Sequence, residues 1–236
     1  MKQCAISAIN NNYEIGVILS NKQKCSVVLV KHKLSSLLAI LKYYKLSEIN
    51  KSLENSIMQT ISYSIALKHC NIMKCYDYIM PDQHNIIAVI EVAAHGHLYN
   101  QHMLQNQTKI PEIQAKAYIT QIITALMYLQ TTKFCNYTVK LNDIYKSFGA
   151  IKISLFQIGS GSKCVYDEKY YTSTIKEQTN REKENMWRLG VICYLLLSGA
   201  FPFDAIKESK LQERAVELRM IFPNHLINFL FFTFLF

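Results

Sequence analysis

Asn185-Met186-Trp187-Arg188-Leu189-Gly190-Val191-Ile192-Cys193-Tyr194-Leu195-Leu196-Leu197-Ser198-Gly199-Ala200-Phe201-Pro202-Phe203-Asp204 is the stretch on which the fold turns. From Met186 to Leu197 it is apolar nearly all round, which predicts a helix buried on every side. Surrounding such a helix takes a sizeable core. With 236 residues, 50 % of them apolar, the chain can supply one large domain or two lobes.

Upstream of that helix, Glu112–Tyr128 carries Ala115, Tyr118, Ile119, Ile122, Ile123, Leu126 and Met127 at helical spacing. Between the two, residues 130–180 read as loop-rich, with a strand at Ala150–Phe156. The first third reads differently. Tyr13–Leu19, Ser26–Val30 and Leu37–Leu41 are short strand-like runs, followed by two more around Met73–Ile79 and Ile86–Val92. Ile49, Leu53, Ile57, Ile61 and Ile65, spaced every four residues, mark one helical face among them. A small sheet carrying one helix, then a helical half, is the expectation, with the change of character near Val92–Gly96.

The formal charge is +9, from 26 Lys and Arg against 17 Asp and Glu, but the basic residues are scattered without a block. A solvated basic surface is expected, with no nucleic-acid or membrane partner. Seven cysteines form no CxxC pair, and no stretch at the N-terminus has the pattern of a secretory leader. Reduced thiols and a cytoplasmic setting follow as expectations. The apolar run Leu226–Phe236 is too short to span a bilayer, which takes about 20 residues; its aromatic end, Phe229–Phe236, reads as a truncation product, a buried terminus or an aggregation-prone segment.

The separations of Trp187, Gly190, Tyr194, Gly199 and Pro202-Phe203 resemble the D-x-W-S-x-G-V-x-x-Y-x-x-L-x-G-x-x-P-F segment of protein kinases. Other landmarks fall in order before it. Ile151–Gln157 resembles the strand leading into D-F-G, and Asn136–Asp143 occupies the place of the H-R-D-L-K-x-x-N loop. Ile86–Leu98 resembles the last small-lobe strand and hinge, and Lys68–Ile72 the H-P-N-I turn. Tyr13, Gly16, His69, Cys70, Ile72 and Phe222-Pro223 are most similar to the testis-specific serine/threonine kinases, a likeness that implies a role in sperm formation. The resemblance implies an α+β bilobal fold: a small sheet lobe with an αC helix over residues 1–92, and a mainly helical lobe over 93–236 that lacks its final helices.

The resemblance also assigns the site, and the site departs from the family. The glycine-loop positions read Ser20, Lys22 and Cys25, although close backbone approach to phosphate favours glycine. Lys22 either reaches a phosphate or is a solvated hairpin lysine. Val27, Ile90, Glu91 and Val92 fall on the nucleotide slot and hinge, and Ile40, replacing a small alanine, is expected to press into the adenine slot. Lys42 matches the phosphate-pairing lysine, but its αC glutamate reads Thr60 or Ile61. The catalytic aspartate reads Thr138, or Tyr137 with a shifted gap; Lys140 matches the loop lysine, and the metal-binding asparagine reads Asp143 or Asn142. Leu155 replaces the D-F-G aspartate and Gln157 its glycine, and a leucine offers no oxygen to a hard cation. Asn185 replaces the aspartate that braces the catalytic loop, which implies one supporting charge lost. No A-P-E triplet follows Gly159, and nothing marks Thr172, Ser173 or Thr174 as a phosphosite. His95, His97 and His102 sit on a turn and an exposed helix and read as no metal site.

Three readings follow. The first is a pseudokinase, an interaction module for a protein partner (an active kinase or a substrate) that needs no cofactor. The second is a residual serine/threonine kinase using ATP with Mg²⁺, motivated by Lys42 and Lys140. A decayed gene copy without stable product is the third.

Overall fold

The computed structural model describes residues 9, 11–99, 109–156 and 181–202. His102, Gln157, Thr172, Ser173, Thr174 and the tail from Phe203 onward lie outside the described residues. By contact the chain divides into two units. The division falls at Ala94/His95 rather than at 92/93, and Lys152–Phe156, expected in the second half, groups with the first unit.

The first unit is built on a five-stranded antiparallel sheet. Its strands are β1 (Tyr13–Asn21), β2 (Cys25–His32), β3 (Leu38–Lys45), β4 (Cys75–Asp82) and β5 (Asn85–Glu91), in the order β1-β2-β3-β5-β4. Strand alternation sorts the apolar residues onto two faces. Val28, Val30, Ala39, Leu41, Tyr43, Ile87 and Val89 pack on one, beneath Ile9 and Tyr13. The other buries Cys25, Tyr44, Ile86, Ala88 and Ile90.

Helix α1 (Lys51–Ser64) covers that second face. It starts where Asn50 accepts the Leu53 N–H at 2.8 Å, satisfying one orphan amide of the first turn. Of the five isoleucine and leucine positions anticipated on its inner side, Ile57 and Ile61 are fully buried and Leu53 and Ile49 half-buried, while Ile65 lies at its end, 39 % exposed.

Gly16 has a specific steric reason. A Cβ there would stand 2.8 Å from the Leu29 carbonyl oxygen, where β1 bulges against β2 between Ile15 and Ile18.

The second unit contains α2 (Glu112–Gln130) and α3 (Arg181–Ser198), which pack against each other. On α2, Ala115, Tyr118, Ile119, Ile122, Ala125, Leu126 and Leu129 are buried; of the positions that helical spacing predicts, Ile123 is only half-buried and Met127 is 61 % exposed. On α3, Leu189 and every residue from Val191 to Ser198 are buried, whereas Met186 near its start is 54 % exposed. Gly199 closes α3 with φ +76° and donates its N–H to Leu195 O, a conformation that costs glycine nothing.

A two-stranded ribbon, β6 (Ile144–Ser147) with β7 (Ala150–Ile153), interrupts the stretch read as loop-rich. Phe148 (φ +46°) and Gly149 (φ +82°) turn it. The strand expected over Ala150–Phe156 stops at Ile153, where Ser154 Oγ accepts the Phe156 N–H and bends the chain.

Two outcomes test this packing. Gly16→Ala should cost about 1–3 kcal/mol by overpacking, read from the urea midpoint at constant m-value. Burial pushes the Cys25, Cys75 and Cys193 thiols from 9.0 up to about 11. The folded state thus holds those protons more tightly than the unfolded chain. Their contribution is whole below pH 9.0 and is lost as pH climbs to about 11, so the urea midpoint should fall across that window.

Candidate functional site

In the first unit, antiparallel register assembles one wall of the site. Val27, Lys42 and Ala88 lie side by side across β2, β3 and β5, with Leu29, Ile40 and Ile90 in the next row. Val27 and Ile40 are half-buried and pack against the apolar cluster that includes Ile90, Ile61 and Phe156. The wall is apolar except for one charge.

That charge is Lys42, 5 % exposed. Its Nζ donates to the backbone carbonyl of Phe156 at 2.6 Å. A buried ammonium must meet an oxygen, and a hydrogen bond to a charged group contributes roughly 1.5–3 kcal/mol. Of the two candidates for the αC glutamate, Ile61 is buried in the cluster beside Phe156, and Thr60 is half-buried.

Residues 152–156 are stitched in from the other side. Met73 N–H donates to Ile153 O and Ile153 N–H to Asn71 O, each at 2.8 Å. Glu91 adds a clasp. Its Oε1 stands 2.7 Å from Lys152 Nζ, its Oε2 accepts the Lys74 N–H at 3.0 Å, and both side chains of the ion pair are largely buried. The carboxylate at the start of the anticipated hinge is thus committed within its own unit; Val92 follows the end of β5, half-buried. Leu155 is 6 % exposed and Phe156 3 %.

The β1–β2 hairpin is closed on itself. Lys22 N–H donates to Cys25 O at 3.0 Å, Ser26 Oγ to Asn21 Oδ1 at 2.8 Å, and Gln23 Nε2 to Glu48 at 3.0 Å. Lys22 is exposed, Ser20 half-buried and Cys25 fully buried, and none of the three has a positive φ. Lys42 and Lys22 both pull the Cys25 thiol down, and burial outweighs them.

In the second unit, Thr138 and Lys140 are half-buried on the segment between α2 and β6. Lys140 O accepts the Asp143 N–H at 3.0 Å, forming the short turn Leu141–Asp143. Asp143, 4 % exposed, accepts the Tyr137 hydroxyl at 3.0 Å, and its charge joins burial in pushing Tyr145 well above the usual phenol range. Asn185 lacks an aspartate's charge and still braces the segment. Its Oδ1 accepts the Val139 N–H and its Nδ2 donates to Tyr137 O, both at 2.9 Å. A carboxylate could only accept, so the amide holds both sides of the segment without a charge.

Among the described residues, the position where the resemblance puts the principal metal ligand offers no donor to a divalent cation. Magnesium requires oxygen ligands at octahedral spacing. Leu155 brings none, and no group of three His, Cys, Asp or Glu among the described residues is arranged to hold a metal. His95 and His97 flank Gly96 in a bridge to the Tyr145 segment, where His95 Nδ1 accepts the Phe148 N–H.

Residues 13–228 match the family model described as the protein kinase domain. The chain is a member of the protein kinase family. The kinase domain is similar to the Aurora kinase of Patiria pectinifera, 26 % identical over 223 residues, covering 91 % of this chain and 54 % of that protein. It is 28 % identical over 228 residues to the Aurora kinase of Debaryomyces hansenii (92 % and 55 % covered). Against Aurora kinase B of Mus musculus it is 27 % identical over 223 residues (91 % and 64 %). The chain thus spans between about half and two thirds of the length of these relatives. The small antiparallel sheet with its helix and the α2–α3 pair are the α+β architecture of a kinase domain.

In this kinase domain the Phe156 carbonyl, the Glu91–Lys152 clasp and the double role of Asn185 were missed by sequence reasoning. Their partners are remote in the chain. Only the alternation Ile151-Lys152-Ile153 signals that Lys152 points away from its apolar neighbours. Asn185→Leu should remove the bonds to the Val139 N–H and the Tyr137 carbonyl and cost about 1–3 kcal/mol for each. Asn185→Asp should recover the first bond only and fall between wild type and Asn185→Leu in urea unfolding.

Proposed function

We propose that this kinase domain is a pseudokinase, a folded interaction or regulatory module for a protein partner, without phosphoryl transfer of its own. The observation that carries this reading is Leu155, buried at the position where the family resemblance puts the principal metal ligand. Phosphoryl transfer rests on positioning and on neutralising phosphate charge with metal and backbone donors. Here the hairpin that should offer N–H groups bonds to itself, and the strand lysine is engaged with a backbone carbonyl. Thr138 offers no carboxylate to accept a hydroxyl proton, a loss of about 10²–10⁴-fold where base catalysis operates.

The partner we favour is a protein, an active kinase or a kinase substrate, met in the cytoplasm. Scattered basic charge speaks against nucleic acid and a membrane surface, and no helix among the described residues is long and apolar enough to cross a bilayer. A likeness to testis-specific kinases rests on Tyr13, Gly16, His69, Cys70 and Ile72, while the relatives above carry Aurora names.

A residual kinase is the second reading, because Lys42 keeps its place beside Val27 and Ala88 on the sheet. Thermal-shift titration with ATP, with and without Mg²⁺ or Mn²⁺, separates the two. No metal-dependent rise in Tm is expected, and radiolabelled ATP with generic acceptors should give no labelled product. Turnover that Lys42→Ala abolishes would overturn the pseudokinase reading.

A further inference from the structure

β1 stands at the edge of the sheet, and among the described residues no strand lies on its outer side. Edge strands usually carry charges, a proline, a bulge or a cover that discourages pairing with another chain, and of these β1 has bulges and a single charge. β1 has one charged residue, Glu14, and no proline. Ile15, Val17, Ile18 and Leu19 are 39, 64, 58 and 56 % exposed. Two register shifts, between Ile15 and Ile18 and between Ile18 and Ser20, account for this crowding. They break strand alternation, so three consecutive apolar side chains reach water.

We propose that β1 is a self-association edge, pairing antiparallel with β1 of a second copy about a two-fold axis near Ile18. Such a contact needs a surface complementary to itself. Charge meets that condition. Glu14 lies four residues before Ile18, and exposed Lys22 lies four residues after it. Antiparallel pairing centred on Ile18 therefore sets each copy's Glu14 against the other's Lys22 and brings the apolar residues between them together. Opposite charges across a strand pair favour it, and like charges directly opposite disfavour it. Parallel, in-register pairing would put Glu14 on Glu14. The bulges increase local twist, which keeps the paired ladder short and the dimer weak.

Sedimentation equilibrium of the full chain, from low to high micromolar concentration, tests this. A monomer–dimer equilibrium is expected, weakened about tenfold or more by Ile18→Lys and, as a second variant, Val17→Lys. Both replace exposed side chains, and an unchanged melting curve confirms folding. Glu14→Lys and Lys22→Glu should each weaken self-association, and an equimolar mixture of those two variants should associate as wild type does, because each supplies the charge the other lacks. A monomer at every concentration, association that survives both lysine variants, or a mixture no tighter than its components would overturn the proposal. So would a monomer that instead captures extended peptides along β1.

Discussion

An ammonium group buried on an apolar sheet face sets the terms for the first unit. Antiparallel register puts Lys42 between Val27 and Ala88, and α1 closes that face with isoleucine. Water is excluded, so protein oxygen has to come to the charge. The Phe156 carbonyl does so, and to deliver it the chain runs along residues 71–74, bends at Ser154 and is clasped by Glu91 through Lys152. Each of these contacts gives a largely buried polar group an oxygen or N–H partner, and removing one costs more than the bond itself returns.

The same arrangement shows which parts of this kinase domain are held by contacts of their own. Sheet, helix and ribbon each have a packing or hydrogen-bonding reason of their own, and so does the residue at the bracing position. Asn185 is the plainest case. It ties Tyr137 and Val139 together by accepting one bond and donating another, a task that needs an amide rather than a charge. The carboxylate of Asp143 accepts a hydrogen bond from the Tyr137 hydroxyl.

Much of this was legible in the sequence. The apolar run to Leu197 had to be a buried helix, the spacing in α1 and α2 was helical, and strand runs separated by polar turns predicted the sheet. The residue types at Lys42, Leu155 and Thr138 could be read directly once the Trp187–Phe203 spacing had set the frame. The ribbon β6–β7 could not, because its turn places a phenylalanine at positive φ, where glycine or asparagine would ordinarily announce it. Contacts such as Phe156 to Lys42 and Lys152 to Glu91 depend on segments far apart in the chain, and local pattern carries no trace of them.

The inclusion of residues 152–156 in the first unit has a consequence for how the protein is made. A nascent chain emerges N-terminus first, and domains tend to fold in that order. Here the sheet and α1 are synthesised well before Phe156, the residue that completes their shared core and brings the carbonyl to Lys42. Until that late segment arrives, an apolar face and a buried-to-be cation stand open on the ribosome. Closing them is a long-range event of the kind that slows folding. The N-terminal sheet shares its core with a segment that belongs to it in space but comes much later in time.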